Sequence, residues 1–146
     1  MSIAKELAEN PIDITIETTI LAPIDIVWKY FNLPEHVTKW NAANDDWHTT
    51  HDFNDLKPGG KFSYRMEAKD NSFGFDFSGT YNSIQKNEAI SYTLDDGRNV
   101  NLAFSNEENS TKIIEIFEAE NEYSFEIQQT GWQMILNNFK KYTESN

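Results

Sequence analysis

The chain has 146 residues, which suits one domain that buries on the order of two-thirds of the surface its unfolded form exposes. It carries 24 acidic and 12 basic residues for a formal net charge of −12, which argues against a nucleic-acid or anionic-membrane partner. It has no cysteine, which excludes disulfides, thiol nucleophiles and thiolate metal sites. Neither a signal peptide nor a membrane-spanning apolar run is recognisable, so we expect a cytoplasmic protein.

The first elements are a strand and two short helices, preceded by a polar leader at residues 1–11. Isoleucines alternate with polar residues through residues 12–20, which is typical of a strand with one solvated face. Pro23 is well placed in the first turn of a helix, because proline tolerates that position. Pro34 ends this helix and opens a second one that runs to Trp40.

A hairpin follows, and its second strand carries the richest apolar face of the chain. Pro58 and two glycines form the clearest turn. Apolar and polar residues alternate in the two strands that follow it, residues 61–67 and 73–81, which are joined by a second turn at residues 68–71. The odd-numbered residues of the second segment are predicted to point inward. Gly79 within that segment indicates a β-bulge or a close backbone approach.

Three further strands and a long helix complete the predicted order. Residues 95–97 read as the turn between two short strands. The last strand covers residues 111–119, and either of its faces could point inward, since isoleucines occupy both. The final helix is predicted over residues 122–142 with Asn121 as N-cap, and Gly131 within it indicates close backbone packing. Its inward side carries Phe125, Gln128, Trp132, Leu136 and Phe139.

This order resembles the helix-grip fold of the START and birch-pollen-allergen-like (SRPBCC) superfamily. That α+β fold wraps a curved antiparallel sheet of about seven strands around a long C-terminal helix, with two short helices after the first strand. Four motifs are similar to the heat-shock protein 90 ATPase activator-homologue (AHSA1-like) family: APIDIVW at 22–28, PEHVTKW at 34–40, LKPGGKF at 56–62 and TGWQMIL at 130–136. The resemblance implies a single domain over residues 12–144.

The resemblance also implies a cavity between the sheet and the C-terminal helix. We expect it to bind a small apolar or aromatic molecule, with no catalytic group, cofactor or metal, although a filled core is the alternative. Trp40 and Trp47 flank the polar loop after the short helices, as a lid or as loop anchors. The candidate ligand-binding residues are Trp40, Trp47, Tyr64, Met66, Phe75, Phe77, Tyr92, Leu102, Phe104, Trp132 and Leu136.

Two other functions remain open at this stage. A cyclase-like or hydrolase-like enzyme would need a polar group with a shifted pKa inside the cavity. A co-regulator of a chaperone ATPase is the second, but the eukaryotic activators carry a separate chaperone-binding domain ahead of this module. Only about eleven residues precede the first strand here, so we do not expect a chaperone partner. We expect a monomer or a weak dimer.

Histidines and charged residues offer two further candidate sites. His48 and His51, with aspartates nearby, have the chemistry of metal ligands. Residues 47–53 are predicted to form an irregular strand, however, and in an extended strand residues three apart point to opposite faces, so we predict no metal site. Arg65 and Asp76 are predicted to pair across the hairpin on the outer face of the sheet.

Overall fold

The computed structural model describes residues 11–146; of the predicted leader, residues 1–10 lie outside the described residues. Within these described residues, seven strands and three helices form in the predicted order, and the α+β helix-grip fold is confirmed. The elements are β1 (Asp13–Ile20), α1 (Ile24–Asn32), α2 (Pro34–Trp40), β2 (Trp47–Asn54), β3 (Lys61–Ala68), β4 (Gly74–Gln85), β5 (Ala89–Leu94), β6 (Asn99–Glu107), β7 (Ser110–Glu118) and α3 (Phe125–Ser145).

The strands form one antiparallel sheet in the order β1-β7-β6-β5-β4-β3-β2. It curls as a half-barrel around α3, while α1 and α2 connect its two edge strands, β1 and β2. The concave face is apolar and the outer face is polar, as expected for an antiparallel sheet that is covered on one side. Within residues 11–146, no helix is both long and apolar enough to span a membrane.

The orientation of β7, which the sequence left open, is resolved by burial. Ile113, Glu115 and Phe117 are buried and face the interior, whereas Ile114 and Ile116 belong to the opposite parity. The carboxyl group of Glu115 therefore lies in the interior, between the apolar side chains of Ile113 and Phe117.

The start of α3 differs from the prediction. The helix begins at Phe125, and its N-cap is Ser124, not Asn121: the Ser124 hydroxyl accepts a hydrogen bond from the backbone N–H of Ile127 at 3.1 Å. Serine and asparagine are both good N-caps. The cap of this helix is Ser124 because its side chain lies three residues before the free N–H group that it must bind. The preceding segment packs against the helix through Gln128.

Two glycines predicted to allow close packing behave differently. A Cβ atom at Gly79 would lie 2.6 Å from the carbonyl oxygen of Thr93 and 3.0 Å from the Phe62 ring, so the predicted close approach is confirmed. The β4–β5 register also shifts just beyond it, between Tyr81 and Ser83. At Gly131 a Cβ atom would meet nothing within 4 Å, so the predicted close packing there is wrong.

A β-bulge in β2 overturns the predicted orientation of the histidines. His48 pairs with Glu67 and His51 with Arg65, so one extra residue, Thr50, brings both imidazoles to the same outer face. Within residues 11–146 no group of three or more His, Cys, Asp or Glu side chains could hold a metal ion.

The predicted pair across the β3–β4 hairpin is confirmed on the outer face. Arg65 is opposite Asp76 in the register, and the guanidinium Nη1 lies 3.4 Å from the carboxylate Oδ1. At the start of β4 the prediction needs correction: Phe73 precedes the strand and is 62% exposed, because β4 begins only at Gly74.

Helix α3 also covers the free edge of the sheet. Three of its side chains donate hydrogen bonds to alternate carbonyl oxygens along β1, and the chain of contacts extends over most of the strand. Gln129 Nε2 donates to the Thr15 carbonyl oxygen at 3.1 Å, and Gln133 Nε2 donates to that of Glu17 at 3.1 Å. Lys140 Nζ donates to the Thr19 carbonyl oxygen at 2.6 Å.

Candidate ligand-binding cavity

A cavity of about 500 Å³ lies between the concave face of the sheet and α3. This volume is in the range of small-molecule sites. Most of its walls are aromatic rings and aliphatic side chains from β3, β4, β5 and α3. Its open end lies among exposed or half-exposed residues of the β3–β4 and β5–β6 turns and of the segment before α3: Phe73, Arg98, Glu120, Glu122 and Tyr123.

Eight of the eleven candidate residues line this cavity. They are Trp40, Tyr64, Met66, Phe75, Phe77, Tyr92, Trp132 and Leu136. Their contact with a ligand stays a prediction. Leu102 and Phe104 do not line it, although they point inward as expected: both are buried, and the Phe104 ring packs against Trp28 and Phe31 of α1 at 5.1 and 5.6 Å. Helix α1 therefore fills the end of the half-barrel that these residues face.

The two tryptophans near the polar loop have different environments. Trp40 lines the inner part of the cavity, and its indole N–H donates to the carbonyl oxygen of Tyr30 at 2.9 Å. Trp47 lies outside the cavity, where its ring contacts Phe73 and Phe75 at about 6 Å between centroids. Trp47 therefore packs behind the cavity wall, because Phe75, which it contacts, lines the cavity.

The central wall is a set of interlocking rings. Trp132 of α3 stacks on Phe117 of β7, with centroids 3.9 Å apart and planes 8° from parallel. Its other neighbour is Phe77, in an edge contact at 5.8 Å. Phe62 meets Tyr92 at 4.9 Å. Stacked and edge contacts of this kind stabilise aromatic packing, so neighbouring rings help to hold the cavity wall in place.

Three tyrosine hydroxyls supply polar contacts within the aromatic wall. Burial raises the pKa of Tyr81 to about 12 and the pKa values of Tyr64 and Tyr92 well above their usual range. All three are therefore neutral at physiological pH. The Tyr81 hydroxyl donates to Oδ1 of Asn54 at 2.7 Å. A neutral hydroxyl can donate to or accept from a ligand without carrying a charge into the cavity.

Glu115 is a cavity residue that sequence reasoning missed. It lies on β7 with Leu102 opposite it on β6 and Ile16 opposite it on β1, and it is 8% exposed. Burial raises the pKa of its carboxyl group to about 8. Its inward position could have been inferred from the alternation of β7, because Glu115 has the same parity as Ile113 and Phe117. Isoleucines at the opposite parity made the other face an equally good candidate.

The segment before α3 is held at the open end by one buried amide. Gln128 Nε2 donates to the carbonyl oxygens of Glu120 and Tyr123 at 3.1 and 2.9 Å, and its Oε1 accepts from the Glu120 N–H at 2.8 Å. Arg98 reaches the same segment, with Nη2 3.9 Å from the Glu120 carboxylate. Gln128 points inward, as predicted, and its hydrogen bonds hold in place the segment that forms the rim of the cavity.

Comparisons with known proteins agree with this architecture. The family described as activator of Hsp90 ATPase homolog 1-like protein matches residues 21–144, whereas no curated protein matches. An AHSA1-like protein from Aeromonas hydrophila is 44% identical, with a TM-score of 0.87 over 92% of this chain and 93% of that one. Chr148 from Cytophaga hutchinsonii is 48% identical, with a TM-score of 0.80 and the same coverage, 92% and 93%.

A more distant structure shares the fold alone. CV1439 from Chromobacterium violaceum is 19% identical, with a TM-score of 0.82 over 92% of this chain and 98% of that one. The family match covers well over half of the sequence and includes the motifs that frame α1, α2, the turn before β3 and α3. The chain therefore belongs to the family of activator of Hsp90 ATPase homolog 1-like proteins.

Proposed function

We propose that this protein binds a small hydrophobic or aromatic ligand in the cavity between the sheet and α3, without catalysing a reaction. The observation that supports this is an aromatic-walled volume of about 500 Å³ in a single small domain. Protein interiors are normally packed to crystal-like density, so an open apolar volume of this size is an exception that a bound ligand would explain. The family to which the chain belongs has a ligand-binding fold, which supports the same proposal.

Binding would come chiefly from removing apolar ligand surface from water, at about 25 cal/mol per Å². The flat rings of Phe77, Tyr92 and Trp132 offer stacking and edge contacts to an aromatic ligand. The neutral hydroxyls of Tyr64 and Tyr92 would set its orientation by hydrogen bonds. This division of labour is usual in small-molecule sites, where few polar groups provide specificity.

The test is an amide NMR titration of the isotope-labelled protein with fatty acids, sterols, flavonoids and aromatic acids. We expect one class to shift signals of Phe77, Tyr92 and Trp132 together. Trp132→Ala should weaken that binding about tenfold or more, because the ring provides a wall of the cavity. The matched control is Phe53→Ala, which removes an aromatic ring from the exposed outer face. Shifts confined to that outer face would contradict the proposal.

An enzyme of the cyclase or hydrolase kind is the second candidate, and Glu115 is the observation that favours it. A carboxyl group with a pKa of about 8 inside a cavity is suited to proton transfer near neutral pH. For such an enzyme, mass spectrometry of the bound compound after incubation would detect a product. Glu115→Gln would abolish product formation while the NMR shifts remained. An unchanged compound would support binding alone.

We further propose a cytoplasmic location and a monomeric or weakly dimeric state. Neither nucleic acid nor a membrane is expected as a partner, given the net charge of −12. A chaperone role is not part of the proposal. Stimulation of the Hsp90 ATPase by the purified protein in a direct assay would overturn that exclusion, and sedimentation equilibrium would test the oligomeric state.

A further inference from the structure

We infer that Glu115 is the group that selects the ligand, and that it hydrogen-bonds a carbonyl oxygen or ring nitrogen of an uncharged aromatic molecule. This inference rests on the proposed function and adds a chemical class to it. An aliphatic or aromatic carboxylate, by contrast, would have to bring its charge out of water into a mainly apolar cavity. The expected ligand therefore has an apolar body and one uncharged hydrogen-bond acceptor.

The position of Glu115 is the first argument. Its side chain lines the cavity and more than nine-tenths of the residue is buried. The sheet register places it one inward position further from the open end than Phe117, the residue on which Trp132 stacks. A ligand that enters from the open end therefore passes the aromatic wall before its leading atoms reach the carboxyl group.

Glu115 has no hydrogen-bond or ion-pair partner within residues 11–146. No hydrogen bond or ion pair reaches its carboxyl oxygens in that part of the chain, and its direct neighbours across the sheet, Ile16 and Leu102, are apolar. Buried polar groups are nearly always hydrogen-bonded, and Glu115 has access to a partner through the cavity that it lines. A group left unsatisfied at a cavity wall is suited to a ligand.

The protonation state decides which ligand atom it can meet. Burial raises the pKa of Glu115 to about 8, so the neutral acid predominates at pH 7 and acts as a hydrogen-bond donor. A neutral acid does not require a buried ion pair, whose desolvation is expensive. The same arrangement, a carboxylic acid kept neutral by an apolar site, is known to donate to ligand oxygens in other proteins.

The other titratable groups that line the cavity can share in hydrogen-bonding a ligand, but those of its inner wall do not change charge near neutral pH. Those along the β3, β4 and β5 wall are tyrosines, which burial keeps neutral. Helix α3 contributes Gln128, Trp132, Ile135 and Leu136, and α1 and α2 contribute Phe31, Asn32 and Trp40, none of them titratable. The remaining groups lie at the open end and are Arg98, Glu120, Glu122 and Tyr123.

The experiment compares four naphthalenes of nearly equal size by NMR titration at pH 6.5 and 9.5. They are 2-acetylnaphthalene, which carries an uncharged acceptor, 2-ethylnaphthalene, which carries none, the anion 2-naphthoate and the cation 1-(2-naphthyl)ethylamine. At pH 6.5 we expect the acetyl compound to bind about tenfold more tightly than the ethyl compound, which corresponds to one hydrogen bond. At pH 9.5, where Glu115 is ionised, this preference should disappear.

Two variants at Glu115 separate its chemistry from its volume. Glu115→Gln retains an N–H donor but cannot ionise, so it should prefer the acetyl compound at both pH values. Glu115→Leu keeps an apolar side chain of similar size, and there the preference should vanish at both.

Several outcomes would overturn the inference. Tightest binding of the amine, increasing with pH, would mean that Glu115 acts as a carboxylate that pairs with a cation. An acetyl preference that survives in Glu115→Leu would mean that another group makes the contact. Both outcomes leave ligand binding in the cavity intact. Failure of all four compounds and of the broader panel to bind would contradict the proposed function and this inference with it.

Discussion

At the scale of single residues, Glu115 makes the stability of the protein depend on pH. Its pKa is about 8 in the folded state and 4.5 for an ordinary glutamate, so between these values the folded state holds a proton that the unfolded state has lost. The free energy of unfolding therefore falls as pH rises from about 4.5 to 8, by up to ~1.4 kcal/mol per pH unit from this group. Above pH 8 the contribution is constant.

Urea unfolding of the wild type and of Glu115→Gln between pH 4.5 and 9 measures this effect. The free energy of unfolding of Glu115→Gln should increase relative to that of the wild type as the pH rises from 4.5 to about 8. Glu107→Gln is the control, because Glu107 lies exposed on β6. Parallel pH curves for wild type and Glu115→Gln would mean that the carboxyl group titrates normally in the folded protein.

Single residues also mark where the sequence could not decide the structure. Alternation in β1 was readable because only one parity of that strand is apolar. In β7 both parities carry isoleucine, so the inward position of Glu115 depended on pairing with β1 and β6, which are distant in sequence. The histidines of β2 were misplaced for a related reason. One bulged residue reverses the inward or outward orientation of every side chain that follows it in the strand, and no pattern in the sequence predicts this bulge.

At the scale of elements, α3 contains an avoidable weakness at Gly131. A Cβ atom added there meets nothing within 4 Å, so alanine should gain its full advantage in helix propensity without strain. We expect Gly131→Ala to increase the free energy of unfolding by about 1 kcal/mol. Chemical denaturation measures it. A loss of stability would indicate that the glycine serves a movement of the helix that the added methyl group impedes.

In strand β4, by contrast, we expect replacement of a glycine to destabilise the fold. At Gly79 the new Cβ atom would lie 2.6 Å from the Thr93 carbonyl oxygen and 3.0 Å from the Phe62 ring. We expect Gly79→Ala to destabilise the fold by about 1–3 kcal/mol, and Gly79→Val by more. Phe62 lines the cavity, so ligand affinity should fall as well. Unfolding and NMR titration together test this, and a neutral Gly79→Ala would contradict the close approach.

The elements themselves were largely predictable, and their ends were not. Prolines and paired glycines punctuate the chain clearly, which is why the order of strands and helices was confirmed. The start of α3 was placed three residues early, because Asn121 and Ser124 are both good N-caps. The choice between them is made by Gln128, whose amide holds residues 120–123 in an irregular path. That contact depends on packing against the sheet.

At the scale of the whole molecule, charge should govern the response to salt. Acidic residues outnumber basic ones by 24 to 12, and the ion pairs between described residues lie on the surface, where they contribute little. Net repulsion then opposes the compact state. We expect the melting temperature to rise between 10 and 300 mM sodium chloride as this repulsion is screened. A fall would mean that the surface pairs outweigh the repulsion.

The existence of the cavity is the feature that the sequence could least decide. Inward-facing aromatic residues are equally suited to filling a core and to lining a volume, and Leu102 and Phe104 do the former while Phe77 and Trp132 do the latter. The difference arises from where α1 inserts its rings. Its Trp28 and Phe31 close one end of the half-barrel, and within residues 11–146 no comparable element covers the aromatic residues towards β3 and β4.

The hydrogen bonds from α3 to β1 have a consequence for aggregation. An edge strand with free carbonyl groups can recruit a strand from another molecule, but the carbonyl oxygens of Thr15, Glu17 and Thr19 already accept bonds from Gln129, Gln133 and Lys140. The same helix thus shields the molecule against its own copies. Local unfolding of α3 would therefore expose the apolar cavity wall and this edge strand together, and both kinds of surface favour association between molecules.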